Sequence, residues 1–104
     1  MAPTLGYSAG VRPIESYRFG FGSQTVVLVG GMHGGYEWNT ILLAYEMIDY
    51  FLANPGQVPA NISLYIIPSA NPDGQWLVTG QIGRFTAEDV SGNTRPGRFN
   101  ANQV

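Results

Sequence analysis

Two apolar runs separated by one long helical pattern constrain this chain more than anything else in it. Thr25 to Met32 is an unbroken β-branched and aliphatic stretch ending in glycines, and Ile62 to Ile67 is a second apolar run. Runs without polar alternation mark strands buried on both faces, as in parallel sheets. Between them Trp38, Ile41, Leu42, Tyr45, Ile48 and Leu52 recur at three- and four-residue spacing, which predicts a helix over 37–53 with one apolar stripe. Leu43, Met47, Tyr50 and Phe51 extend the apolar character around much of the remaining circumference. Asn54-Pro55-Gly56 ends the helix, because proline cannot continue it and glycine permits the turn. Strand, helix and strand in that order make a βαβ unit with a right-handed crossover. The fold class this implies is α/β, a three-layer-type mixed sheet.

The flanks carry weaker signals. Gly6, Gly10 and Pro13 punctuate residues 1–13, which read as an irregular lead-in. From Ile14 to Phe21, Tyr17, Phe19 and Phe21 alternate with polar or small residues, the pattern of a half-buried strand. The short Gly22-Ser23 turn predicts that this strand folds back antiparallel. Pro68 and Asn71-Pro72-Asp73-Gly74 close the second apolar run with a strong turn signal, after which regular structure thins out. A short helical turn is expected over 86–90, with Thr86 as its N-cap. The 104 residues support at most one domain.

Only 12% of the residues are charged, about half the ~25% typical of soluble domains. No lysine is present, and every positive charge is one of five arginines. So thin a polar coat, around so apolar a helix, implies that much of the surface is covered by more protein, and we expect a homo-oligomer. A net charge of −2 argues against nucleic-acid binding, which needs a basic stripe. No apolar run reaches the ~18 residues of a membrane-spanning helix, and the first residues show no secretory signal. With no cysteine there is neither disulfide nor thiolate ligand, and the compartment stays open.

The topology brings distant residues together. His33 follows the first buried strand and Asn71 follows the second, so both loops open at the same carboxyl edge, where α/β sheets bind ligands. His33 is the only histidine, and Glu37 lies four residues on, across a glycine pair that clears space around them. Imidazole and carboxylate there are zinc donors, although a catalytic zinc takes three protein ligands and keeps an open position. The competing readings are an incidental histidine and a glutamate that merely suits the helix dipole. Arg98, with Arg95 and Arg84, is suited to a carboxylate or a polarised carbonyl, or is simply solvated. Asn71-Pro72-Asp73-Gly74 is explained by a β-turn alone.

Three motifs in order carry a resemblance: Gly30-Gly31-Met32-His33-Gly34-Gly35-Tyr36-Glu37, Asn71-Pro72-Asp73-Gly74, and Gly97-Arg98-Phe99-Asn100-Ala101-Asn102-Gln103-Val104. Together with Gly6-Tyr7-Ser8 and Arg12-Pro13-Ile14, they resemble landmarks of the zinc carboxypeptidases, the M14 metallopeptidase family, from about residue 5 to the end. The resemblance implies a fragment of the zinc-carboxypeptidase (phosphorylase/hydrolase-like) fold and hydrolysis of a peptide or amide bond next to a free carboxylate. It implies His33 and Glu37 as zinc ligands and Arg98 as the arginine that polarises the scissile carbonyl. The family usually separates its His and Glu by two residues, whereas three intervene here. Val104 stands one residue short of the family's Asp-Leu-Asn-Arg-Asn segment, which holds the substrate's terminal carboxylate. The family's third zinc ligand, its capping tyrosine and its catalytic glutamate come later still. The resemblance therefore implies that residues 1–104 are a truncated, single incomplete domain, the N-terminal third of a catalytic domain. Such a piece holds zinc weakly or not at all and is inactive alone. The rival reading is a non-catalytic, self-associating assembly fragment.

Overall fold

A computed structural model describes residues 3–104; Met1 and Ala2, which open the expected lead-in, lie outside them. The chain forms β1 (Thr4–Tyr7), β2 (Pro13–Glu15), β3 (Tyr17–Phe19), β4 (Gln24–Val29), α1 (Trp38–Ala53), β5 (Ile62–Ile67) and α2 (Pro72–Thr79), with short 3-10 turns at 55–57, 87–89 and 95–98. β1 and β2 pair antiparallel as a separate ribbon, so most of the expected irregular lead-in is a hairpin. The second sheet is mixed, in the order β3-β5-β4.

β4 and β5 are parallel neighbours, registered from Gln24 opposite Ile62 to Val29 opposite Ile67. β3 is antiparallel as expected, but its partner is β5, on the side away from β4. The reason lies in the connection. Gly22 N–H donates to Ile62 O at 3.1 Å and Gln24 N–H to Asn61 O at 3.0 Å, so the chain crosses the start of β5 and begins β4 on its far side. Only a residue without a side chain permits this crossing, since a Cβ on Gly22 would lie 2.0 Å from the Asn61 carbonyl carbon. Phe21, placed by alternation in the buried set, is on that crossing and exposed.

Helix α1 buries Ile41, Ala44, Tyr45 and Ile48 against Leu64 and Ile66 of β5, with Phe85 closing the cluster. These four are spaced as one helical face. Leu52, expected to continue the stripe, is 63% exposed. Its neighbour Phe51 takes the core side, with its ring centroid 5.7 Å from that of Phe19, and one residue further turns the helix about 100° away. On the other face of the sheet the Arg18 guanidinium lies over the Tyr65 ring.

β4 departs from the expectation of burial on both faces: Val27 is 50% and Val29 48% exposed. It is one of the two edge strands of this sheet, and no strand pairs with its outer side among the described residues.

The largest departure follows β5. Asn71-Pro72-Asp73-Gly74 is not a β-turn but the start of α2: Asn71 Oδ1 accepts from Gly74 N–H at 3.0 Å as N-cap, and Pro72 occupies the first turn. Asparagine and proline favour both a turn and a helix start, because each suits a chain whose first N–H groups have no backbone partner. Gly80, at φ 68°, ends the helix in the left-handed region. The turn expected over 86–90 is present as the 3-10 turn at 87–89, with Thr86 N–H donating to Asp89 Oδ2 at 2.9 Å.

Candidate metal centre

The loop between β4 and α1 leaves the sheet at Gly30, whose N–H donates to Ile67 O, while Ala70 and Asn71 N–H donate to Gly30 and Gly31 O at 2.9 and 3.0 Å. The carboxyl ends of β4 and β5 are thus laced together, and the loops carrying His33 and Asn71 open on one edge as the topology requires. Gly31 has φ 61°, and a Cβ there would fall 2.7 Å from Ile41 Cγ1, so the loop lies flat on the α1 core. Gly34 N–H then donates to Gly31 O and Tyr36 N–H to His33 O, two successive turns that present His33 outward.

His33 Nδ1 and Glu37 Oε1 are 2.5 Å apart, with side chains 39% and 46% exposed. Nδ1 is the ring nitrogen that faces the carboxylate, and an Nδ1–H would donate to it. Glu37 occupies the N-cap position of α1, yet its side chain makes no capping bond. The carboxylate forgoes the orphan N–H groups of the helix for the imidazole, which weakens the reading of Glu37 as a simple helix-start acid. Thr40 fixes the junction: its hydroxyl donates to Glu37 O at 2.8 Å and accepts from Gly31 N–H at 2.9 Å. This threonine carried no sequence signal, since it serves through one hydroxyl on a helical face otherwise read for apolar content.

Arg98 lies in the 3-10 turn at 95–98 and is exposed. It shares a groove of about 450 Å³ with Tyr36, the residue before Glu37, and with Arg95. No hydrogen bond or ion pair joins Arg98 to His33 or Glu37 among the described residues. Arg84, grouped with it by sequence, stands elsewhere, in a two-bond pair with Asp49 of α1 at 2.7 and 3.1 Å. That pair lowers the Asp49 carboxyl and raises the Arg84 guanidinium from their ordinary values, chiefly through the hydrogen bonds between them.

Asn71 ties the two halves of the site. While Oδ1 caps α2, Nδ2 donates to Phe99 O at 3.1 Å, next to Arg98. Behind it, Asp73 accepts from Ser8 Oγ at 2.7 Å, Gly10 N–H at 3.0 Å and Arg12 Nη1 at 2.8 Å, fastening the β1–β2 ribbon to the start of α2. Burial alone would raise the Asp73 carboxyl. The bonds from Arg12, Ser8 and Gly10 and the charge of Arg12 outweigh it, and the group sits below the ordinary carboxylate range.

The sequence matches the family model for zinc carboxypeptidases, Peptidase_M14, over residues 3–102, nearly the whole chain. The chain therefore belongs to the zinc carboxypeptidase family, and its mixed α/β structure is that of a part of the family's catalytic domain. No curated protein matches it. Among the described residues no three His, Cys, Asp or Glu side chains gather where a metal could sit, and no helix is long and apolar enough to cross a membrane.

Proposed function

We propose that this chain contributes His33 and Glu37 as two zinc ligands of a metallocarboxypeptidase centre, and Arg98 as the residue that polarises the scissile carbonyl. The observation that carries this reading is the His33–Glu37 contact on the carboxyl edge of a family member's sheet. An imidazole nitrogen and a carboxylate oxygen are both zinc donors, and the two side chains are exposed enough to be reached, so they fit as part of a donor set. One histidine and no cysteine mean that a further His or Cys donor would come from outside these 104 residues. Zinc, when bound, supplies Lewis-acid polarisation and a water acidic enough to attack near neutral pH. Both side chains would hold a cation in their deprotonated forms, so its binding would release protons. Arg98 presents a planar array of N–H donors suited to the oxygen of the scissile carbonyl and to the oxyanion it becomes. The substrate class is a peptide or amide with a free carboxylate beside the cleaved bond.

Zinc titration by calorimetry in buffers of different ionisation enthalpy tests the metal assignment. Weak binding with proton release is expected, abolished by His33→Ala. Glu37→Gln should weaken it by at least the roughly 10–100-fold that loss of an outer-shell partner costs. Affinity indifferent to His33→Ala would overturn the assignment. We expect no release of C-terminal residues by these 104 residues alone, because only two of the ligands are among them.

β4 favours a second reading, self-association. An edge strand with free N–H and C=O groups and exposed valines on one face is a template for pairing with a second copy. Light scattering at tens of micromolar should show a dimer or larger species. Val27→Lys, which puts a charge on that face, should return it to monomer; a wild-type monomer removes this reading.

A further inference from the structure

We propose that the groove beside the metal loop binds a carboxylate side chain of the substrate, making this a site for acidic peptides with Arg95 as its specificity residue; the proposal rests on the carboxypeptidase reading above. The groove measures about 450 Å³ and is lined by Tyr36, Asn93, Thr94, Arg95, Arg98 and Phe99, together with Gly92. It holds two guanidinium groups and no carboxylate.

The other arginines are occupied. Arg12 is bound to Asp73, Arg84 to Asp49, and Arg18 to Gly20 O and Ser63 Oγ. Arg95 and Arg98 make no ion pair or side-chain hydrogen bond among the described residues. They stand three apart in a 3-10 turn, where side chains at that spacing eclipse one another. Two like charges on one side of a turn repel, and an anion held by Arg95 relieves the repulsion while using the fork of donors that matches a carboxylate. The turn is held in place: Arg95 N–H donates to Asn93 Oδ1 at 3.2 Å, Gly97 N–H to Thr94 O at 3.0 Å and Gly35 N–H to Gly97 O at 3.1 Å. The last bond joins it to the loop of His33 and Glu37, and Tyr36 is common to loop and groove. With Arg98 engaged by the scissile carbonyl, Arg95 is left for a second oxygen-bearing group. The anions a peptide brings in its side chains are carboxylates.

The test uses the acetylated, amidated dipeptide Glu-Glu, which has only side-chain carboxylates, against its Gln-Gln isostere, followed by amide NMR shifts of the 104-residue chain. Glu-Glu should move the signals of Tyr36 and residues 93–99 and Gln-Gln should not. Added salt should weaken the effect. Arg95→Gln should lower affinity by up to about fivefold, the upper end of what one exposed ion pair contributes, and Arg95→Lys should restore part of it. Arg84→Gln, outside the groove, should change nothing. Equal response to the two peptides, or an unaltered affinity in Arg95→Gln, overturns the proposal. A parallel zinc titration separates the two readings. Zinc binding without charge preference removes the groove alone. Charge preference without zinc binding removes the metal assignment and leaves the groove as an acidic-peptide site.

Discussion

Asp73→Ala should cost about 3 kcal/mol of folding stability, near the lower end of what breaking one partner of a buried ion pair costs. The carboxylate is almost fully buried and Arg12 keeps 23% side-chain exposure, so part of the stranded charge can be rehydrated. Three donors lose their acceptor at once: the Ser8 hydroxyl, the Gly10 N–H and the Arg12 guanidinium. Against a typical total of about 5–15 kcal/mol for a small domain this loss is large. Urea denaturation should show a lowered midpoint. Asp73→Asn, which retains an acceptor oxygen but no charge, should fall between. The same group sets an acid limb. Its carboxyl lies below the ordinary range in the folded chain, so the stability it contributes is fully present above about pH 4, the unfolded value. That stability is lost as pH falls through the lower folded-state value. In Asp73→Asn this limb should flatten. Asp49 is also lowered but stands at the exposed surface with Arg84, where ion pairs contribute little. A limb of unchanged depth in Asp73→Asn would assign the acid sensitivity to other carboxylates.

How much of this was legible follows from the kind of signal each residue gives. The parallel β4–β5 pair and α1 are written in apolar periodicity, and the carboxyl-edge placement of His33 and Asn71 follows from connectivity alone. Periodicity does not say what lies beyond the sheet, so the same valines that mark a buried strand are exposed in β4. Nor does it give strand order: the crossing at Gly22 depends on backbone approach to Asn61, which leaves only a glycine as its trace. α2 was hidden because Asn71 and Pro72 suit a turn and a helix start equally. The acid at Asp73, two residues past the cap, was the available cue for a helix. His33 and Glu37 stand out in the sequence as candidates because few residue types hold metals. Thr40 and the side chain of Asn71 were missed because they act through single hydrogen bonds to backbone. Arg84 shows the converse: composition grouped it with Arg98, and only the fold assigns it to Asp49.

Gly35→Ala and Gly97→Ala should each destabilise the chain, and together by less than the sum of the two. A Cβ on Gly35 would lie 2.5 Å from Val78 Cβ and 2.6 Å from Gly74 O; one on Gly97 would lie 2.6 Å from Val78 Cγ2 and 2.7 Å from Gly35 Cα. Half of these neighbours are backbone, and the rest belong to Val78, a β-branched residue in α2 with little rotamer freedom, so the segments must move apart. Each substitution should cost about 1–3 kcal/mol as overpacking, with about 1 kcal/mol more for Gly35 N–H···Gly97 O if that bond is lost. Once the first methyl has opened the seam, the second enters space already made, and a coupling of about 1 kcal/mol is expected in the double-mutant cycle. The seam is also what holds the His33–Glu37 loop against the turn bearing Arg95 and Arg98. Gly97→Ala should therefore weaken Glu-Glu binding while leaving zinc affinity nearer the parent value, because His33, Gly35 and Glu37 sit on one side of the seam and Gly97 and the arginines on the other. Strict additivity of the two substitutions would mean that Gly35 and Gly97 do not share one contact in solution, and the groove would lose its fixed relation to the metal loop.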